Sequence, residues 1–148
     1  MSAFLNRCSF DVWGDTDWVL LEPLRYRSSI LGEIIVPEAF ITDLASIPKV
    51  ARSVIPQNGR HRYAAIVHDW IYATAGGASQ LCDRHTADCV FMEAMIVLGV
   101  PWSKRQLMYA AVRVGGWVTW NARQGLTPFD IGCSRVRPLS AINAHTYA

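Results

Sequence analysis

The sequence predicts an α+β fold: a small N-terminal antiparallel hairpin or sheet packed on a three-helix unit, followed by an extended C-terminal tail. Three observations predict it. Two short runs of strand-forming residues lie side by side between Trp18 and Val36. Three longer stretches between Arg62 and Val118 repeat their apolar residues at the helical period, as helices with one buried face do. From about Ala122 the chain carries Gly125, Pro128, Gly132 and Pro138 and sustains neither period, which marks irregular chain.

Residues 1–15 show no pattern and are expected to form a loose arm. Trp18 to Tyr26 reads as a strand and Ile30 to Val36 as its hairpin partner, joined through Arg27, Ser28 and Ser29. Pro37 ends the second strand. Thr42 to Pro48 is rich in Thr, Asp, Ser and Pro, which predicts a turn or a short capped helix rather than a strand. Pro56-Gln57-Asn58-Gly59 is a turn. The first helix is expected over Arg62 to Ala75, with Ala64, Val67, Ile71 and Ala75 on its inner face and Gly76-Gly77 as its stop. The second is expected over Asp83 to Leu98, burying Ala87, Val90, Phe91, Ala94 and Leu98, and ended by Gly99 and Pro101. The third starts with Ser103 as N-cap and presents Leu107, Ala111, Val114 and Val118 to the core. Together these make one domain over 1–148, with its core over 16–121 and its tail over 122–148.

Composition narrows the function. Of 148 residues, 51% are apolar, enough for one continuous core. The net charge is +2 and the arginines are spread along the chain. That argues against a protein built on nucleic-acid backbone contacts, which needs a concentrated basic stripe. No apolar run approaches the roughly 18 residues of a membrane span. Met1 to Phe10 lacks a basic start followed by an apolar stretch, so no signal peptide is expected. The cysteines are Cys8, Cys82, Cys89 and Cys133. Two helical turns put Cys82 and Cys89 about 10 Å apart, too far for a bridge. No Cys-x-x-Cys pair suggests zinc. Four reduced thiols in an intracellular setting are expected.

The residues that can carry chemistry are His68, Asp69, Tyr72 and Asp88. His68 and Tyr72 are one helical turn apart and share a face, with Asp69 about a quarter-turn away. Asp88 falls at the edge of the next helix's apolar arc. An antiparallel packing of the two helices brings it to His68 or Tyr72. A histidine acting as a base needs a partner that fixes its tautomer and stabilises its charged form, and Asp88 can do this from the far ring nitrogen. Asp69 can hold a hard cation completed by loop carbonyls, and such a cation polarises a carbonyl or phosphoryl oxygen.

Three ordered segments carry a family resemblance. They are Phe40-Ile41-Thr42-Asp43-Leu44-Ala45-Ser46-Ile47-Pro48, then Ala64-Ala65-Ile66-Val67-His68-Asp69-Trp70-Ile71-Tyr72, then Arg84 with Ala87-Asp88-Cys89-Val90-Phe91 and Met95. With these, the stretch from about Ile34 to Trp120 resembles a family of short phage and bacterial proteins, the domain of unknown function 1353. The resemblance implies a phage or prophage origin and no particular activity. A second resemblance rests on His68-Asp69-x-x-Tyr72 followed by Ala87-Asp88, which looks like the core of phospholipase A2 domains, including those on some virus capsid proteins. It implies His68 as the base that activates water, Asp69 as a calcium ligand, and Tyr72 and Asp88 as the hydrogen-bond network behind the histidine. The glycine-rich calcium loop of that superfamily has no counterpart here beyond Asn58-Gly59.

The combined expectation is a phage tail or virion component with a His-Asp hydrolase-like site: catalytic His68, Asp88 and Tyr72, and metal ligands Asp69 and Asp43. Its partners are other virion proteins, its substrate membrane lipid or cell wall, and its location the host cytoplasm during assembly and then the virion. Two alternatives stay open. One is a purely structural virion or assembly protein, in which His68 and Asp69 form a core polar pair, Arg84 and Asp88 form an intrahelical ion pair and Asp43 caps a helix. The other is a zinc-dependent cell-wall hydrolase using the same histidine and aspartates. His61 and His85 are expected to be exposed, and Trp102, Trp117 and Trp120 to be core or interface anchors.

Overall fold

The computed structural model describes residues 1–13, 17–42, 59–74 and 82–122. Strands β1 (Ala3–Phe4), β2 (Phe10–Trp13), β3 (Asp17–Leu20), β4 (Leu24–Ser28), β5 (Gly32–Val36) and β6 (Ile41–Thr42) precede helices α1 (Arg62–Thr74), α2 (Arg84–Val97) and α3 (Trp102–Ala122). The strands form two antiparallel sheets of three, ordered β1-β4-β5 and β2-β3-β6. The α+β class is as the sequence predicts. No described helix is long and apolar enough to cross a membrane. The tail over 123–148 and most of the predicted 42–48 turn lie outside the described residues.

The expected hairpin is β4–β5, but its turn sits two residues further along. Leu24, Tyr26 and Ser28 point inward, while Arg25 and Arg27 point to solvent, the alternation of a half-buried strand. The Ser28 hydroxyl accepts from the amides of Ile30 and Leu31 at 3.0 and 3.3 Å, and Gly32 closes the turn at φ +77, where a side chain is strained. The expected single strand from Trp18 to Tyr26 is instead two strands in different sheets. Pro23, which has no amide to donate to a ladder, falls at the break. Asn6 clamps this break: its side chain donates to the Pro23 carbonyl at 2.7 Å and accepts from the Arg25 amide at 2.8 Å.

The N-terminal segment is not a loose arm. It supplies β1 and β2, strands too short to show a period in the sequence. Phe4 stacks on Tyr26 and Tyr63, and Phe10 meets Trp18 and Tyr63. The Arg62 guanidinium lies 4.5 and 4.6 Å from the ring centres of Phe10 and Trp18, a cation–π contact joining sheet to helix. Thr42, expected in a turn, pairs within β6 against Trp18.

Helix α1 is the central element. Ten of its thirteen residues are buried, so it is packed nearly all round rather than on one stripe. α2 buries Ala87, Val90, Phe91 and Ala94 as expected and Met95 with them, while Leu98, also expected inside, is only partly buried. Asp83 caps its start, accepting from the Thr86 amide at 2.7 Å. Gly99, at φ +67, ends it: the Gly99 amide bonds the Ile96 carbonyl and the Val100 amide the Met95 carbonyl, a Schellman closure. α3 differs most from expectation. The Pro101 carbonyl accepts its first helical bond, from Arg105, so Ser103 lies inside the helix and is not its cap. Met108 and Val112 are buried, whereas Leu107, Val114 and Val118 are exposed. Apolar residues occur on more than one side of this helix, so the sequence pattern admits a rotation of about 100°, one residue.

Glu93 ties the elements together. Its carboxylate accepts from Ser2 Oγ at 2.6 Å, Tyr26 OH at 2.8 Å, Ser28 Oγ at 2.7 Å and the Ser29 amide at 3.0 Å, and also from the Ser29 hydroxyl. Partial burial raises its pKa, but these donors outweigh burial and pull it from 4.5 down to about 2. A carboxyl with a depressed folded pKa contributes stability above its unfolded pKa and loses it as pH falls. Glu93→Gln is therefore expected to cost about 1–3 kcal/mol at neutral pH. It should also flatten the fall in melting temperature between pH 4.5 and 2. Melting curves of both proteins across that range check this.

Candidate functional site

Asp88 is fully buried on α2, at the face turned to α1 and α3. A carboxylate without solvent has to be paired, and this one is. Its Oδ1 lies 2.9 Å from His68 Nε2 and accepts from the Tyr72 hydroxyl at 2.6 Å. Its Oδ2 accepts from Arg113 Nη1 at 2.7 Å, while Arg84 Nη1 stands off at 3.7 Å. The α1–α2 packing thus brings His68, Tyr72 and Asp88 together, with Arg113 added from α3. Burial pushes the Asp88 carboxyl up, but hydrogen bonds from His68, Tyr72 and Arg113 outweigh it and hold the group below the ordinary carboxylate range. Burial and the neighbouring Asp88 both push the Tyr72 phenol up, so at neutral pH Tyr72 is a hydrogen-bond donor. The expected Arg84–Asp88 pair exists but is the longer of the two, because Arg84 turns its Nη1 toward the Arg113 carbonyl at 3.1 Å.

The His68 ring is 1% exposed and lies between Tyr72 and Phe91, with ring centres 4.2 and 4.7 Å away. Trp120 meets Tyr72 edge-on at 5.0 Å. Gly116 lets α3 come this close. A Cβ there would sit 2.6 Å from the Tyr72 hydroxyl and 3.3 Å from two ring carbons. Gly116→Ala is expected to push the Tyr72 hydroxyl off Asp88 and to destabilise by about 1–3 kcal/mol, the usual cost of overpacking. Tyr72→Phe measured beside it should leave little further loss in the double variant, since both changes break the same hydrogen bond.

Asp69 is also buried and accepts from the hydroxyl of Thr42 on β6. This bond joins Thr42 to the histidine helix, while Asp88 joins the same helix to α2, so α1 carries two separate buried polar contacts from adjacent residues, Asp69 and His68. Calcium needs roughly six to eight oxygen ligands. Among the described residues Asp69 is the one expected ligand present, and no group of three or more His, Cys, Asp or Glu side chains gathers. Asp43, the second expected ligand, lies outside the described residues.

A family model described as protein of unknown function (DUF1353) matches residues 18–112. The chain belongs to the DUF1353 family. No curated protein and no solved structure matches it. The family match covers His68, Asp69, Tyr72 and Asp88 and stops one residue before Arg113.

Sequence reasoning missed Arg113, Gly116 and Thr42 as parts of this network. Gly115-Gly116 inside a helical run was the available signal, since such glycines often mark a close approach. Arg113 carries none, because the apolar face expected of α3, through Leu107 and Val114, lies one residue from the buried one. His61 was expected to be exposed but is buried, 4% accessible, whereas His85 is exposed as expected. Cys8, Cys82 and Cys89 are free thiols, and burial pushes Cys8 and Cys82 up to about 11, which suppresses thiolate chemistry. Cys133 lies outside the described residues. Trp102 and Trp117 are exposed, and Trp120 packs on the core.

Proposed function

We propose that this DUF1353 chain is a phage or prophage protein, virion-associated, carrying a histidine-based hydrolase-like site with His68 as the base. The observation that carries the chemical reading is the 2.9 Å pairing of His68 Nε2 with Asp88 Oδ1. The same carboxylate is anchored by Tyr72 and Arg113, so the ring is held by a partner that is itself fixed. In the proposed step His68 takes a proton from water through its other ring nitrogen, and the water oxygen attacks an ester carbonyl. Asp88 stabilises the imidazolium, and the proton passes to the leaving oxygen. The phage and virion assignment rests on the sequence resemblance.

The second reading is a buried polar crosslink without catalysis. The 1% exposure of His68 and 0% of Asp88 favour it, because a base has to meet water or substrate. The assay that separates them is fatty-acid release from mixed phospholipid vesicles, run with calcium and with chelator. Release above buffer supports the lipid hydrolase. A chain inert on lipid but active on purified cell wall with zinc would move the site to the cell-wall alternative. A chain inert on both would leave the crosslink.

A further inference from the structure

A second polar feature lies at the opposite end of α1 from Thr74, outside the His68 network. A cavity of about 230 Å³ opens between the start of α1 and the loop joining α2 to α3. Arg60, His61 and Lys104 line it together with Gly59, Gly99 and Pro101. None of the described residues lining it is acidic. Its volume falls below the roughly 300–1,000 Å³ of pockets that enclose drug-sized ligands, so it suits a small group.

Two helices begin at this cavity. The His61 carbonyl accepts the first helical bond of α1, from Ala65, and the Pro101 carbonyl accepts that of α3, from Arg105. The positive ends of two helix dipoles therefore face one space. Neither helix has an acidic residue in its first turn, and neither His61 nor Pro101 is among the preferred capping residues. Arg60 reaches across to the loop, with its Nη1 3.7 Å from where a Cβ on Gly99 would lie.

The independent sign of a ligand is His61. It is 4% exposed, and its Nε2 is buried with no hydrogen-bond partner among the described residues. Buried polar atoms are almost always satisfied, so an unpartnered imidazole nitrogen at a cationic cavity points to a missing group. Burial, then Arg62, then Lys104 all lower the His61 pKa. The His61 ring is thus favoured in its neutral form, and the charge offered to a ligand comes from Arg60 and Lys104.

We propose that this cavity binds a phosphate group, with Arg60 and Lys104 as its charged partners, the two helix N-termini as its backbone donors and His61 at its inner wall. A phosphate supplies several acceptor oxygens and up to two negative charges, which match donors arriving from two helices and two side chains. The bound group is either free phosphate or the phosphate end of a larger molecule.

The test is calorimetric titration at constant ionic strength with inorganic phosphate, glycerol 3-phosphate and acetate. Saturable binding of either phosphate is expected, with acetate weaker. Tighter binding of the monoester would assign the site to a phosphate end group, and tighter binding of the free ion to inorganic phosphate. Arg60→Gln and Lys104→Gln, both at exposed positions, should each weaken binding about tenfold, the loss expected for a charged hydrogen bond. Arg27→Gln, which removes the same charge on the sheet, should leave it unchanged. In parallel, the His61 ring resonances should move with phosphate while those of exposed His85 stay. No saturable binding, equal affinity in the Arg60→Gln/Lys104→Gln double variant, or acetate binding as tightly as phosphate would overturn the assignment.

Discussion

Asp88→Ala is expected to destabilise the protein by about 3–5 kcal/mol, the cost of leaving two buried polar groups without their partner. At about 2–4 °C per kcal/mol for a chain of this size, the melting temperature should fall by roughly 10 °C. The reason is the number of groups the carboxylate serves. His68 and Tyr72 are buried and would each lose the bond to Asp88. Arg113 is about a third exposed and can turn to solvent, so its share of the loss is small. Asp88→Asn should cost less, because the amide keeps one acceptor oxygen, but its NH2 group cannot accept from the donors converging there. Thermal or urea melts of both variants check the order. A loss under about 1 kcal/mol for Asp88→Ala would mean that the network contributes little to the fold.

The parts of this network that could be read from the sequence are those fixed by helical spacing. His68 and Tyr72 share a face because one turn separates them, and both bond the same oxygen of Asp88. The place of Asp88 follows from the clear apolar arc of its helix, the one that includes Ala87, Phe91 and Met95. The β4–β5 hairpin was legible from two neighbouring runs of strand-forming residues, but not the place of its turn, since Arg27 and Ser28 read as loop and close β4 instead.

What could not be read depended on contacts between distant segments. The hydroxyl of Thr42 meets Asp69 across 27 positions, and no local pattern encodes that bond. β1 and β2 are two and four residues long. They are held by aromatic packing and by side chains such as Asn6, so they carry no period of their own. α3 has apolar residues on several sides, so its period does not fix which side is buried: Met108 and Val112 turn inward in place of Leu107 and Val114, and Arg113 comes to Asp88. His61 stands just before α1, where no local period marks a buried side chain, yet it is 4% exposed.

The second large effect concerns His68. Asparagine roughly preserves size and some hydrogen bonding but cannot act as a base near neutral pH. If His68 is the base, His68→Asn should lower hydrolysis by about a hundredfold or more, the usual contribution of a positioned general base. The Asn amide matches the near ring nitrogen and does not reach the Nε2 position that meets Asp88, so some stability is lost under either reading and the rate decides between them. If the histidine only crosslinks α1 to α2, the variant's rate on lipid will equal that of the unaltered chain, and its melting temperature will fall through a buried network left partly unpaired. Both readouts are needed, since an unfolded variant is also inactive.

The central claim, that Asp88 holds His68 as a working base, is tested most directly by fatty-acid release from mixed phospholipid vesicles. The unaltered chain and His68→Asn are compared below the melting temperature of each. The account predicts release by the unaltered chain and at least a hundredfold less by His68→Asn, with the variant still folded. Equal rates in the two proteins, together with a clear loss of stability in the variant, would contradict it.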